Sequence, residues 1–261
     1  MNKILVQDLL SWLDLQLKPA LFQDYAPNGL QLQGKPEIKK VITGVTASAR
    51  LLEIAAERDA DAVLVHHGWF WKGENPCIVG SKFERVALAI RHGLNVIGYH
   101  LPLDAHPQWG NNAQLARVLG LVPDRVDDGS GLPSVFGRGG LIWSGQLPPQ
   151  VQTLSDLGHT IEAVMGRKPL LIGNTDRPLR RIAWCTGGAQ GMFEEAIDRG
   201  VDVYLTGEAS EQVYHQAVES GVAYVGAGHH ATERYGVQAL GEAIAQQFGV
   251  NVEFVDIDNP V

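Results

Sequence analysis

Cysteine is nearly missing from this chain: Cys77 and Cys185 are the only two among 261 residues. They are far apart and form no C-x-x-C motif, which excludes a disulfide framework and fits a reducing compartment. Long hydrophobic runs are missing too. No stretch approaches the roughly 18 uninterrupted apolar residues of a membrane span. Met1-Asn2-Lys3-Ile4 leads straight into an amphipathic pattern without a signal-like apolar core. A cytoplasmic, soluble protein with no membrane partner is therefore expected. Basic charge is also short. Lys and Arg number 21 against 29 Asp and Glu, a formal charge of -8, which argues against a broad electrostatic footprint for nucleic acid. What remains is ordinary: 45% hydrophobic residues can build one large domain or two small interleaved ones.

Hydrophobic periodicity organises the chain. Ile4, Leu5, Leu9, Leu10, Trp12 and Leu13 read as a helix packed by one face. Pro27-Asn28-Gly29 marks a turn. Val41–Val45 reads as a doubly buried strand, Ala47–Arg58 as a helix and Ala62–Val65 as a second strand. Phe83–Arg91 follows as a helix, Asn95–Tyr99 as a third strand and Asn112–Leu119 as another helix.

The second half repeats this order. At a constant offset Lys39-Lys40-Val41 meets Arg180-Arg181-Ile182, Glu53 meets Glu194, Ala55 meets Ala196, Arg58 meets Arg199, Asp61 meets Asp202 and Leu64 meets Leu205. Further on, Glu84–Tyr99 runs parallel to Glu211–Ala227, with Gly93 matching Gly221 and Gly98 matching Gly226. The pattern predicts an internal duplication, a pseudo-two-fold pair of α/β units. The first unit is expected over 1–126 and the second over 177–261. The stretch 127–176, rich in Gly and Pro with strand-like runs such as Gly140–Trp143, reads as a connecting β-element or a flap.

Three motifs carry metal-ligand chemistry. Val63-Leu64-Val65-His66-His67-Gly68 is an apolar strand ending in two histidines, at the strand edge where α/β folds place ligands. Neighbours on a strand point to opposite faces, so either the chain turns there or the pair serves two different ions. His229 and Glu233, in Gly228-His229-His230-Ala231-Thr232-Glu233, fall one helical turn apart on one face. Asp104 follows the third strand in a loop that is the first-half counterpart of the one carrying His229, and its two oxygens suit a bridge. Three imidazoles and two carboxylates leave positions open for water on two ions, as a catalytic site requires. Without thiolate ligands, Zn, Fe, Mn, Co and Ni are not distinguishable. His100 is a candidate catalytic residue, as a partner supporting the ligands or a substrate contact. Glu208, at the duplicated position of His67, is another, as a proton shuttle or supporting partner, with helix capping as its alternative role. His230 is assigned a structural role, and His106 has no defined one.

Tyr25-Ala26-Pro27-Asn28-Gly29-Leu30-Gln31, Thr43-Gly44-Val45-Thr46, His66-His67, His100-Leu101-Pro102-Leu103-Asp104 and Gly228–Glu233 together resemble the type 2 GTP cyclohydrolase I family, also named for NGG-interacting factor three. The resemblance covers essentially the whole chain. It implies an α/β fold of two intertwined, duplicated units with mixed sheets and a metal site between them, two divalent metal ions per chain and a toroidal homohexamer. It also implies His66, His67, Asp104, His229 and Glu233 as ligands, the same five selected from the residues themselves. The chain departs from the family pattern at Gly68-Trp69-Phe70-Trp71, where many members have proline after the histidines. It departs again at Leu101-Pro102, in place of a commoner polar pair.

The resulting expectation is a dinuclear-metal-dependent hydrolase acting on a small-molecule substrate, with a nucleotide or purine-type heterocycle suggested by the family name. Trp69, Phe70 and Trp71 are available to stack on such a ring, although packing over a loop is their simpler role. Thr186-Gly187-Gly188-Ala189-Gln190-Gly191 lacks the P-loop Lys and Ser/Thr and reads as a tight strand-to-helix turn. The alternative is a non-enzymatic metal carrier or regulatory adaptor. DNA binding is a third reading, opposed by charge and kept open only by a ring with a wide hole.

Overall fold

The computed structural model describes residues 2–261. Its chain separates into two compact units, one comprising the residues up to Gly110 together with Gly236–Asp258, the other Asn111–Tyr235 with Asn259–Val261. The boundaries expected at 126 and 176 fall elsewhere. The chain leaves the first unit at Gly110 and the long helix His229–Phe248 brings it back.

The first unit is built on a five-stranded sheet in the order Asn251–Phe254, Lys40–Thr46, Ala62–His67, Asn95–Gly98 and Gly29–Leu32. The first four strands run parallel and Gly29–Leu32 is antiparallel to its neighbour. Alternate residues serve opposite faces. Val41, Ala62, Leu64 and Ile97 join a core with Leu9, Leu13 and Leu240. Ile42, Val63, Val65 and Val96 join another with Leu51, Leu52 and Ala55. This is the period-two pattern of a sheet covered on both sides. Helix Ala49–Glu57 starts where the Ser48 side chain accepts the Leu51 amide at 3.3 Å, an N-cap that satisfies an otherwise orphaned donor. Ile4–Leu5 is a short strand instead of helix, pairing with Glu37–Ile38, and the helix starts at Val6.

The second unit holds a seven-stranded sheet, whose main path is Leu170–Ile172, Ala223–Gly226, Val203–Thr206, Arg181–Trp184, Ile142–Gln146 and Val122–Pro123. Its three central strands are parallel, as in the first unit, and Leu170–Ile172 lies antiparallel beside the third, as Gly29–Leu32 does. The copies differ at the other side. Arg181–Trp184 is flanked by an antiparallel strand, Ile142–Gln146, where Lys40–Thr46 has the parallel Asn251–Phe254. Residues 127–176, expected as a connecting β-element or a flap, hold strands that pair within this sheet. They supply Ile142–Gln146, Leu170–Ile172 and the helix Leu154–Met165, which opens with a Thr153/Asp156 capping box.

The duplicated residues do the same work in each copy. Asp61 accepts the amides of Lys39 and Lys40 at 2.8 and 3.2 Å, and Asp202 accepts those of Arg180 and Arg181, both at 2.9 Å. Gly93 and Gly221 both end helices in the left-handed conformation, at φ 62° and 71°, where a side chain would be strained.

Candidate metal centre

In the first unit the strand Ala62–His67 continues through both histidines. His66 lies on the face of Leu64 and is 1% exposed, and half-buried His67 lies on the face of Val65. At the strand end their rings still stand 4.5 Å apart. His66 Nδ1 is 3.1 Å from the Tyr99 carbonyl oxygen, which can only accept, so Nδ1 carries a proton and donates it there. Its Nε2 faces Asp104 Oδ1 at 3.5 Å. His67 Nδ1 lies 3.3 Å from Thr46 Oγ1. Asp104 is buried on a short helix, Leu101–Ala105, where a loop was expected. Pro102 sits in the first turn of that helix, where its missing N–H costs nothing.

His100 belongs to the same cluster. Its Nδ1 lies 2.6 Å from Asp24 Oδ1, and Asp24 Oδ2 accepts the Leu101 amide and the Asn28 side chain, both at 2.9 Å. Asn28 Oδ1 in turn accepts the His100 amide at 2.8 Å. Burial pushes the Asp24 carboxyl up, but the bonds from His100, Asn28 and the Tyr25 amide outweigh it and hold the group down at about 2. His66, His67 and His100 present ligand atoms that all lie within 4.8 Å of one another.

The segment Tyr25–Gln31 is thus more than a turn. Asn28 fastens His100, and Gln31 Oε1 accepts the Trp69 amide at 2.6 Å, fixing the exit from the histidine strand. Asn28 and Gln31 entered the sequence reading only within a turn and a family motif, and Asp24 not at all, because their partners lie far along the chain.

In the second unit the helix begins at His229 itself. His229 Nε2 is 3.1 Å from Glu233 Oε2 one turn on, and its Nδ1 is 2.6 Å from Glu208 Oε1. Gln190 Nε2 donates to the other Glu208 oxygen at 3.0 Å. Burial alone would pull the His229 pKa down. Hydrogen bonds and charge from Glu233, then Glu208, reverse this and push it up to about 9. The Gly187-Gly188 turn wraps this group: at Gly187, φ 70°, an added Cβ would overlap the Glu233 carboxylate. The Gly187 amide donates to Thr232 Oγ1 at 3.0 Å and the Ala189 amide to Thr206 Oγ1 at 3.2 Å. These two amides are spent on the fold, which favours the tight-turn reading over an anion cradle.

Other candidates fall away from the two clusters. His106 stacks on Trp109 at 4.7 Å and its Nδ1 accepts the Trp109 amide at 3.0 Å. Burial, aided by Lys18, pushes its pKa down to about 4. Trp69 is buried and donates to the Ala47 carbonyl at 2.9 Å, while Phe70 packs under Lys82. Trp71 alone of the three aromatics borders the histidines, with ring centroids 5.0 Å from His100 and 5.9 Å from His67. Buried His230 donates its amide to the Val261 carbonyl at 3.0 Å.

Both clusters suit a divalent cation on the chemistry of their donors. Each sets a buried carboxylate against an imidazole whose Nδ1 is already engaged by oxygen, the arrangement that orients a histidine ligand and raises its basicity. The two carboxylates that favour a proton on His229 equally favour a cation.

The model of the Duf34/NIF3 (NGG1p interacting factor 3) family matches residues 4–260. The chain belongs to the NIF3 family. Among its relatives, a protein named GTP cyclohydrolase 1 type 2 homolog from Neisseria meningitidis serogroup B is 53% identical, covering 98% of this chain and 99% of its own. One of the same name from Pseudomonas aeruginosa is 48% identical over the same shares. Among solved structures, protein ybgI, described as of unknown function, superposes with a TM-score of 0.91 at 44% identity, covering 99% of this chain and 100% of its own. A family resemblance over the whole chain and a mixed α/β architecture are therefore established together. No helix among the described residues is long and apolar enough to cross a membrane.

Proposed function

We propose that this NIF3-family chain is a dinuclear-metal-dependent hydrolase, with His66, His67, Asp104, His229 and Glu233 as ligands of two divalent cations. The observation that carries the reading is the pairing of buried carboxylates with imidazoles oriented through Nδ1 in both units. Structural zinc sites are usually closed by four protein ligands. Five side chains shared by two ions leave positions for water and substrate instead.

When bound, two such ions lower the pKa of water and stabilise developing negative charge. The chain's own residues supply the rest. Glu208 holds a proton between its Oε1 and His229 Nδ1, tied back by Gln190, and is the candidate for passing protons. Trp71, beside His67 and His100, offers an apolar face to a planar ring. The names of the relatives make a nucleotide or purine-type heterocycle the first substrate class to assay, and GTP the first compound. The same reading takes the protein to be cytoplasmic and a homohexamer.

The second reading, a metal carrier or regulatory adaptor, draws on the family's other name and on the partial exposure of His229. Metal-loaded protein assayed against GTP and a nucleotide panel separates the two. Turnover abolished by H66A and E233A supports the hydrolase. Absence of turnover, with rapid metal transfer to an acceptor protein, supports the carrier.

A further inference from the structure

The strand Ala62–His67 and the helix Gly80–His92 are joined by residues 68–79, whereas the matching elements of the second unit, Val203–Thr206 and Glu211–Ser220, are joined by residues 207–210. The longer loop is not slack. Phe70 holds φ 66°, a left-handed conformation that a bulky side chain adopts only where its surroundings force it. Lys82, on the helix, is 7% exposed. Its Nζ donates to the Asn75 carbonyl at 2.9 Å, meets Glu74 Oε1 at 3.1 Å and lies 5.3 Å from the Phe70 ring centroid. A cation is buried only where such partners repay its lost hydration. Lys82 clasps the loop through three of its residues.

The clasp ends on Trp71. Glu74 Oε2 accepts the Trp71 amide at 3.1 Å, and the Glu74 amide donates to the Trp71 carbonyl at 3.0 Å. Trp71 Nε1 donates to the Gly68 carbonyl at 3.2 Å. The one side-chain donor is thus spent inside the loop, and what Trp71 offers outward is ring surface. The Lys72 amide donates to the Tyr25 carbonyl at 2.6 Å, which ties Tyr25 into the same frame. Trp71 and Tyr25 both border His100, with ring centroids 5.0 and 6.4 Å away. Trp71 is half-buried and Tyr25 is 56% exposed. Aromatic surface already fixed beside polar groups grips a ring at little entropic cost.

We propose that Trp71 and Tyr25 form a platform on which the purine ring of a ligand stacks, and that Lys82, acting through Glu74, is the residue that positions it. This rests on the hydrolase reading for the class of ligand, and adds how the ring is gripped and what holds the grip. Stacking recognises the flat face of a ring and tolerates changes in its substituents. Guanine and adenine nucleotides should therefore both bind, and a sugar phosphate without a base should not. Lys82 touches no ligand; its effect is on where Trp71 stands.

The test uses the metal-loaded full-length chain, with GMP and AMP as ring probes and ribose 5-phosphate as the same molecule without a base. Calorimetry reads affinity, and tryptophan fluorescence reads the platform. Both ring probes should bind, and the control should not. W71A and Y25A should each weaken GMP about tenfold, the usual loss with one stacking partner, while W71F should stay within about threefold. K82M should weaken GMP by about five- to tenfold and raise acrylamide quenching of Trp71, taken as the difference from the same variant carrying W71F. K82R, which keeps the donors, should restore both. A merely structural Lys82 would lower the melting temperature of K82M and leave its affinity and its Trp71 quenching where they were. Unchanged affinity in W71A and Y25A, or ribose 5-phosphate bound as tightly as GMP, would overturn the platform. Unchanged affinity and quenching in K82M would overturn the role of Lys82. If neither nucleotide binds a chain that holds its metal, this inference alone fails. If the chain holds no metal and still binds both nucleotides, the metal reading fails and the platform stands.

Discussion

Asp24 shows how one carboxylate off the expected motifs can govern a site. Its pKa is held at about 2 against an ordinary 3.8, chiefly by the bond from His100 once burial has been overcome. A depressed carboxyl contributes stability that is fully present above its unfolded pKa and is lost as pH falls through the folded one. The loss from this residue therefore runs from about pH 4 down to about pH 2 and amounts to about 2 kcal/mol. Urea unfolding of the wild type should weaken across that window, and D24N should show a shallower slope there. A second residue-scale consequence concerns Gly187, where φ is 70° and an added Cβ would overlap Glu233. G187A should cost about 1–3 kcal/mol of stability and weaken metal binding at least tenfold, read by urea titration and chelator competition. At this scale the strongest motifs were legible: His66-His67 and the one-turn spacing of His229 and Glu233 are local patterns. Asp24 and Gln190 were not, because their roles depend on contacts that neither spacing nor periodicity encodes.

Among elements, the duplication has physical content that identities alone lacked. Asp61 and Asp202 each tie down the amides that enter the first parallel strand of their unit. D61N, at a buried carboxylate, should destabilise the chain by about 1–3 kcal/mol, and D202N, at a partly exposed one, by about 0.5–1.5 kcal/mol. Chemical denaturation measures both, and an effect in only one copy would show that the matched positions are not equivalent. The parallel strands were readable because runs such as Val41–Val45 and Ala62–Val65 are apolar on both faces. Asn251–Phe254 was not readable as part of the first sheet, since its partner, Lys40–Thr46, lies some two hundred residues earlier. Ile142–Gln146 was seen only as a strand-like run, because its place beside Arg181–Trp184 is a tertiary choice.

For the whole molecule, a chain that leaves its first unit at Gly110 and re-enters it at Gly236 cannot be cut at 126 or 176 into independent pieces. Exposed apolar residues such as Phe83 and Ile90 on the helix Gly80–His92, with Val79 just before it, are consistent with a self-associating surface. The homohexamer proposed above predicts a light-scattering mass near six times 28.3 kDa. A concentration-independent mass of 28.3 kDa would remove that part of the account. The central claim is the pair of metal ions, and metal analysis of the purified full-length chain tests it most directly. The account predicts about two divalent ions per chain in the wild type and loss of at least one in H66A and in E233A. A wild type that binds no divalent ion after loading, or variants that keep both, would contradict it.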